Sequence, residues 1–213
     1  MSSYLKSPAA SRWFVASAGA LAIAMTMGLS APTASATECL LDTNNDGMVG
    51  LGDTDGNAST SGSLDSLACG ANSTATINAT AVGANAQANG VNSTAIGNGA
   101  ASNDRATATG FQATAGGVAS VATGYQASSS GTSSVATGSF SIANGTNATS
   151  VGTNAVSGTN GTALGALSNA TLGNDVAIGA NTVTDRANTV AVGNRQITQV
   201  AAGTVGTEST SIS

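Results

Sequence analysis

Most of the chain repeats a short unit in which side chains are expected to alternate between the two faces of a strand. A β-branched residue, an alanine, a second β-branched or aliphatic residue and a glycine follow one another, as in Val121-Ala122-Thr123-Gly124. The glycines that close these units, called frame glycines here, are separated by 13 or 14 residues. They are Gly70, Gly83, Gly97, Gly110, Gly124, Gly138, Gly152, Gly165, Gly179 and Gly193. A period this short predicts one turn of a solenoid per unit.

A coil of 13 or 14 residues has room for two short strands and two tight bends, but not for a helix. Several coils carry a second glycine six or seven residues after the frame glycine, which marks the opposite bend. These are Gly90, Gly117, Gly131, Gly145 and Gly158. The sequence therefore predicts an all-β chain, folded as a parallel β-roll or β-solenoid with coils of 13–14 residues.

The alternation also predicts which residues share a face. Val176 and Ile178 should point to one side of their strand, and Ala177 between them should point to the other. A single narrow rod buries little apolar area, which favours self-association. We expect the alanine face to form the contact between chains, because alanine lets two backbones approach closely. The period alone does not fix the number of chains.

Composition supports an extended all-β fold. Only 7% of the 213 residues are charged, which argues against ordinary intrinsic disorder, and only 3% are aromatic, which argues against a thick globular core. Alanine, threonine, serine, valine, asparagine and glycine suit thin stacked strands.

Residues 1–36 have the pattern of a secretory signal peptide. Lys6 and Arg12 form a basic start, an apolar stretch covers residues 14–29, and Ala34-Ser35-Ala36 is a small-x-small cleavage sequence. The alternative, an N-terminal membrane helix, is disfavoured because the apolar run is short. We expect an exported chain whose remaining part has three arginines against ten acidic residues, a net charge of −7. Such a chain is a poor partner for nucleic acid and for direct insertion into a membrane.

Two cysteines, Cys39 and Cys69, follow the predicted cleavage site. An even, small number of cysteines in an exported chain predicts a disulfide. Because Cys69 lies in the first repeat, the bridge would attach residues 37–66, an acidic N-terminal cap, to the first coil. Two free buried thiols are the alternative.

The repeats resemble a known family. Residues 92–97 (Asn-Ser-Thr-Ala-Ile-Gly) and residues 121–127 resemble the head repeats of trimeric autotransporter adhesins, the YadA-like head. Residues 195–204 resemble the neck that follows such heads, and that match is the more specific one. The resemblance implies a left-handed parallel β-roll, a homotrimer, and display on a Gram-negative cell surface for adhesion to host matrix or to other cells.

The resemblance also implies domain boundaries and a cellular location for the chain. Residues 67–193 would be the head repeats, and residues 194–213 the start of a neck and a truncated tail, because residues 205–213 depart from the family pattern. In the family, a coiled-coil stalk and a membrane barrel follow the neck. We expect a cell-surface or outer-membrane location if the chain is part of a longer adhesin, and secretion otherwise.

The acidic cap contains one candidate metal site. Asp42, Asn44, Asp46 and Asp53, with Gly47 at the sixth place, resemble the oxygen ligands of a calcium loop. The twelfth place holds Asp53 where such loops carry glutamate, and no clear helix follows. The alternative is a solvated Asx-turn cap without metal. Apart from calcium, the sequence predicts no cofactor.

Three aromatic residues are expected to lie close together on the surface. Phe111 and Tyr125 each follow a frame glycine one repeat apart, and Phe140 is nearby. They could form a ladder that packs one corner of the roll, or an exposed contact for a ligand. The packing role is favoured, because solenoids stack like residues.

The sequence favours adhesion over catalysis. It contains no histidine, no phosphate-binding glycine loop that opens a helix, and no nucleophile next to a base, so we expect no enzyme activity. The leading hypothesis is a surface-adhesion head whose partner is a matrix protein or a cell-surface ligand. The alternative is an exported structural spacer without a ligand. An ice-binding threonine array is disfavoured, since only Thr109, Thr123 and Thr137 form one.

Overall fold

The computed structural model describes residues 56–61 and 65–199. The described residues form a parallel β-roll in which every coil from β1 to β16 contributes a three-residue strand and a two-residue strand. The strands in chain order are β1 (Leu67–Cys69), β2 (Thr74–Ala75), β3 (Thr80–Val82), β4 (Gln87–Ala88), β5 (Thr94–Ile96), β6 (Ala101–Ser102), β7 (Thr107–Thr109), β8 (Thr114–Ala115), β9 (Val121–Thr123), β10 (Ser128–Ser129), β11 (Val135–Thr137), β12 (Ile142–Ala143), β13 (Thr149–Val151), β14 (Val156–Ser157), β15 (Thr162–Leu164), β16 (Asn169–Ala170), β17 (Val176–Ile178) and β18 (Val190–Ala191).

The strands assemble into two parallel sheets. The odd-numbered strands and β18 form a ten-stranded sheet, and the even-numbered strands from β2 to β16 form an eight-stranded sheet. Equivalent residues of neighbouring coils pair directly, so that Ala122 of β9 lies beside Ala108 of β7 and Ala136 of β11. The predicted all-β solenoid with coils of about 14 residues is confirmed.

Two columns of glycine let neighbouring coils stack closely. Gly124, a frame glycine, has a φ of 135°, and a Cβ there would lie 2.6 Å from the carbonyl oxygen of Gly138. Gly131, at the opposite bend, has an ordinary φ, but a Cβ there would lie 1.8 Å from the carbonyl oxygen of Gly145. The first position therefore needs glycine for its backbone conformation and for space, and the second needs it for space alone.

Asparagine has a positional role that the sequence analysis missed. Each coil has two bends with a residue in the left-handed region, and asparagine fills most of them. In one coil they are Asn85 (φ 57°) and Asn92 (φ 59°). Asparagine tolerates this conformation better than other residues with a Cβ. The signal was visible as asparagine recurring two residues after a frame glycine and five residues before the next one.

The interior of the roll contains only small side chains. The buried hydrophobic residues of the described part are all alanine, and the buried polar ones are serine and threonine apart from Asp175. Several serine hydroxyls in the interior donate to nearby carbonyls, as Ser134 Oγ does to Gly131 O at 2.6 Å. Two sheets joined by bends of a few residues leave a thin slot that only small side chains fit.

The expected contact between chains through the alanine face is wrong. Ala122 and Ala136 are completely buried inside a single chain, because they point into the slot between the two sheets. The β-branched face points outward instead, and Ile96 keeps 41% of its surface exposed. The alanine face is therefore not available for association between chains.

Candidate adhesive and self-association surfaces

The outward side chains of the ten-stranded sheet form a continuous surface, called the ten-strand face here. Each three-residue strand places its first and last residues on this face, as Thr94 and Ile96 do in β5. Four of the exposed ones are aliphatic: Ile96, Val151, Leu164 and Ile178, which are 38–41% exposed. A soluble chain seldom presents so regular a row of half-exposed aliphatic side chains without a partner.

The outward face of the eight-stranded sheet is narrower and more polar. Each of its two-residue strands places one side chain outward, and in the first half of the roll these include Thr74, Gln87, Thr114 and Ser128. Only Ile142 and Val156 are apolar branched residues among the strand positions. The two faces therefore differ in character.

The three aromatic side chains meet at one corner between the two sheets, and we call them the aromatic ladder. The rings of Phe111 and Tyr125 stack with centroids 5.4 Å apart and planes 9° apart. The Tyr125 and Phe140 rings meet edge to face at 5.1 Å. All three side chains remain 42–47% exposed. The ladder is therefore both a packing element and an accessible surface.

Phe140 enters the ladder at a conformational cost. Its φ is 57°, in the left-handed region that other coils fill with asparagine, glutamine, glycine or, once, leucine at the same position. A bulky aromatic residue is seldom found in that region. At the same position of the two preceding coils, Gln126 Nε2 donates a 2.7 Å hydrogen bond to Gln112 Oε1.

Charges are sparse on the described surface. Asp185 and Arg186 form an ion pair of 3.3 Å that is largely exposed to solvent. Asp104 accepts a hydrogen bond from the Val91 amide at 3.0 Å. Neither arrangement forms a charged patch that would select a charged ligand.

Asp175 is the exception in the interior. It is completely buried four residues before Gly179, a position that holds alanine or serine in most coils. Its Oδ2 accepts hydrogen bonds from the Thr184 hydroxyl and from the Leu172 amide. Its Oδ1 has no hydrogen-bond partner among the described residues and lies 3.2 Å from the position that a Cβ on Gly161 would take. The carboxylate is closed off from ligands and joins the last coils to each other.

No group of three or more histidine, cysteine or acidic residues in the described part could hold a metal ion. The predicted calcium ligands Asp42, Asn44, Asp46 and Asp53 all lie outside the described residues, so that site stays a prediction. Cys69 takes part in a disulfide. Its predicted partner, Cys39, lies outside the described residues, and the pairing also stays a prediction. The same holds for the signal peptide, residues 1–36.

The family model of the YadA head domain repeat matches residues 77–100, 101–127, 129–155, 157–182 and 173–195. These matches cover the aromatic ladder and every strand of the ten-stranded sheet except β1. This chain belongs to the YadA head family. The resemblance inferred from the repeats is confirmed.

A solved structure agrees with this assignment. The crystal structure of the collagen-binding domain of the Yersinia adhesin YadA matches with a TM-score of 0.60 and 36% sequence identity. The match covers 81% of this chain and 92% of the YadA domain. A comparison with curated protein sequences finds no match.

The YadA head family is a family of adhesins rather than of enzymes. Among residues 56–61 and 65–199, no helix has the length and apolar character needed to cross a bilayer. The features that a partner can reach are the ten-strand face, the narrower eight-stranded face and the aromatic ladder.

Proposed function

We propose that this chain is the head of a surface adhesin and that it binds collagen or a related extracellular matrix protein. The observation that supports this is the 36% identity over 92% of a collagen-binding domain that has the same fold. Membership of the YadA head family also supports export and display at the cell surface. Asp42, Asn44, Asp46 and Asp53 remain a proposed calcium site in its N-terminal cap.

The adhesin head would act as a homotrimer assembled through the ten-strand face. The support is the row of half-exposed aliphatic side chains on that face, which includes Ile96 and Ile178. Burying these side chains against other copies would add the apolar contact that the small alanine interior of one chain lacks. Three copies would also present every outward feature three times.

Adhesion would be distributed over many coils rather than concentrated in one deep site. Repeated weak contacts, multiplied by three chains and by many copies on a surface, give high avidity without a strong single contact. The aromatic ladder is our proposed strongest contact, because exposed aromatic rings dock the proline-rich extended chains of which collagen is built.

Binding of the exported chain to immobilised collagen, fibronectin and laminin tests the proposal. We expect saturable binding to collagen that is absent with the heat-denatured chain. A folded chain that binds none of these proteins and no cell surface would contradict adhesion, and would support the alternative of a structural spacer. Sedimentation of the same preparation tests the trimer separately.

A further inference from the structure

The roll ends where a side chain takes over hydrogen bonds that belong to the backbone in earlier coils. At Gly193 the chain turns away, with a φ of 64° in place of the 125–138° found at the frame glycines from Gly70 to Gly165. The corner around Gly179 is therefore not covered by a further corner of the same kind. Two residues later comes Arg195, whose guanidinium group lies over that corner.

The carbonyl groups at this corner have the same positions in the repeat as carbonyl groups that accept hydrogen bonds from backbone amides in the earlier coils. In the preceding coil, Leu164 O accepts from the backbone amide of Gly179, and Ala166 O accepts from the amide of Asn181. One coil further on, the equivalent carbonyls are those of Ile178 and Ala180. Ile178 O accepts from Arg195 Nη1 at 3.4 Å, and Ala180 O accepts from Arg195 Nη2 at 3.0 Å.

The guanidinium group also occupies the space that a backbone peptide group of the next coil fills at earlier corners. A Cβ on Gly165 would lie 2.5 Å from the carbonyl carbon of Gly179 and 2.7 Å from the amide nitrogen of Ala180. A Cβ on Gly179 would instead lie 2.3 Å from Arg195 Nη1 and 2.4 Å from its Cζ. A planar group with several N–H donors thus lies where the next peptide group lies in the coils before it.

Neighbouring groups hold the guanidinium in place. Arg195 Nη1 donates to Thr182 Oγ1 and to Val192 O, both at 3.0 Å. Thr182 is buried at a position that holds alanine or serine in the other coils, and its hydroxyl also donates to Ile178 O at 3.0 Å. Both the threonine and the arginine depart from the repeat at the same corner.

We propose that Arg195 is the C-terminal cap of the roll. Its side chain substitutes for the backbone of a further coil, satisfies the carbonyls of Ile178 and Ala180, and fixes the segment that leaves the roll against its last coil. The end of a solenoid leaves the carbonyls of its last coil without the amide donors that a further coil supplies, and the guanidinium group provides donors for two of them at an exposed corner. Arginine suits the role better than lysine, because one ammonium group cannot reproduce a planar fork of donors.

Amide hydrogen exchange of the full chain tests the cap. We expect Arg195→Met to speed exchange at the Gly179 and Asn181 amides by about tenfold or more, because opening of the last coil becomes easier. The amides of Gly124 and Gln126, which occupy the same positions in the middle of the roll, should be unchanged. Arg195→Lys should fall between the wild type and Arg195→Met.

Arg186→Met is the matched control, since it removes a nearby exposed arginine, and it should leave the same amides unchanged. Equal exchange in Arg195→Met and in the wild type would overturn the proposal. So would an acceleration of the same size in Arg186→Met, or at Gly124.

A second measurement does not depend on exchange data. Gly179→Ala should lower the melting temperature less in an Arg195→Ala background than in the wild type, because the obstructing guanidinium is gone. Gly165→Ala should lower it equally in both backgrounds, since the obstruction there is backbone. If Gly179→Ala lowers the melting temperature equally in both backgrounds, Arg195 does not occupy this space and the proposal is overturned.

Discussion

Gly131 lies so close to Gly145 that a Cβ on the first would be 1.8 Å from the carbonyl oxygen of the second. This contact repeats along the opposite bend, where a Cβ on Gly117 would likewise lie 1.9 Å from the carbonyl oxygen of Gly131. The separation of the coils is thus set at the bends by the absence of side chains, and not only by the hydrogen bonds of the strands.

Gly131→Ala should therefore destabilise the chain strongly. The added methyl group meets backbone that cannot move without breaking the hydrogen bonds between coils, and we expect a loss of about 2 kcal/mol or more. Gly116→Ala is the control, because a Cβ there meets nothing closer than Ser130 Cα at 3.9 Å. Thermal unfolding of both variants checks the prediction, and similar melting temperatures would contradict it.

Ala122→Glu should unfold part of the single chain. Ala122 is completely buried in the slot between the sheets, so a carboxylate there would be buried without a partner, at a cost of about 3 kcal/mol or more. Asn89→Glu, at an exposed position, should change the stability little. Circular dichroism during thermal unfolding measures both. A fully stable Ala122→Glu chain would mean that alanine does not face the interior.

Ile96→Lys should separate the chains without unfolding them. Ile96 is 41% exposed in one chain, so a lysine there reaches solvent in the free chain, but it would be buried in an association through the ten-strand face. Gln87→Lys, outward on the eight-stranded sheet, is the control and should leave association unchanged. Analytical ultracentrifugation gives the mass of each species. If Ile96→Lys sediments like the wild type, this face is not the contact.

Phe140→Asn should keep the fold and weaken binding to collagen. Asparagine suits the left-handed conformation of this position, so the stability should be equal or higher, while the edge-to-face contact with Tyr125 is lost. Leu167→Asn is a matched control, because Leu167 has a φ of 60° at the equivalent position of another coil and lies outside the ladder. Binding to immobilised collagen should fall severalfold only in Phe140→Asn. Equal binding by both variants would assign the ladder to packing alone.

Reduction of the predicted Cys39–Cys69 disulfide should loosen the first coil only. Closing a loop of about 30 residues contributes about 3–4 kcal/mol in the chain-entropy account. We expect faster exchange of the Leu67 amide, which donates to Ala79 O at 2.9 Å, and no change at Gly97 and beyond. Cys39→Ser should have the same effect as reduction. Two alkylatable thiols in the untreated chain would show that the pairing is wrong.

Most of the fold could be predicted from the period of the sequence, because each coil pairs with its neighbour at an offset of one repeat. The spacing of Gly124 and Gly138 was enough to place strands β9 and β11 in register. The alternation in Val121-Ala122-Thr123 identified two faces, but not which of them points inward. The width of the slot decides that question: only the small side chain of Ala122 fits between the two sheets.

Features that break the repeat could not be predicted from it. Arg195 was grouped with the neck because residues 195–204 resemble that segment. Its hydrogen bonds to Ile178 and Ala180 could not be predicted, since they depend on where the chain leaves the roll. The burial of Asp175 could not be predicted, because nothing in the neighbouring sequence indicates that its carboxylate lies in the interior beside Gly161. The aromatic ladder was predicted as a cluster, but the left-handed conformation of Phe140 follows only from its place in the bend.

The alanine and serine interior has a thermal consequence. Folding this chain withdraws a large share of peptide groups from water together with single methyl groups, whereas most domains withdraw long aliphatic and aromatic side chains. Exposure of polar groups lowers the heat capacity and exposure of apolar groups raises it. The heat-capacity increment of unfolding should therefore be below the usual value of about 12–15 cal/mol/K per residue. Its curve of stability against temperature is then unusually flat, so the roll would lose little of its stability on cooling.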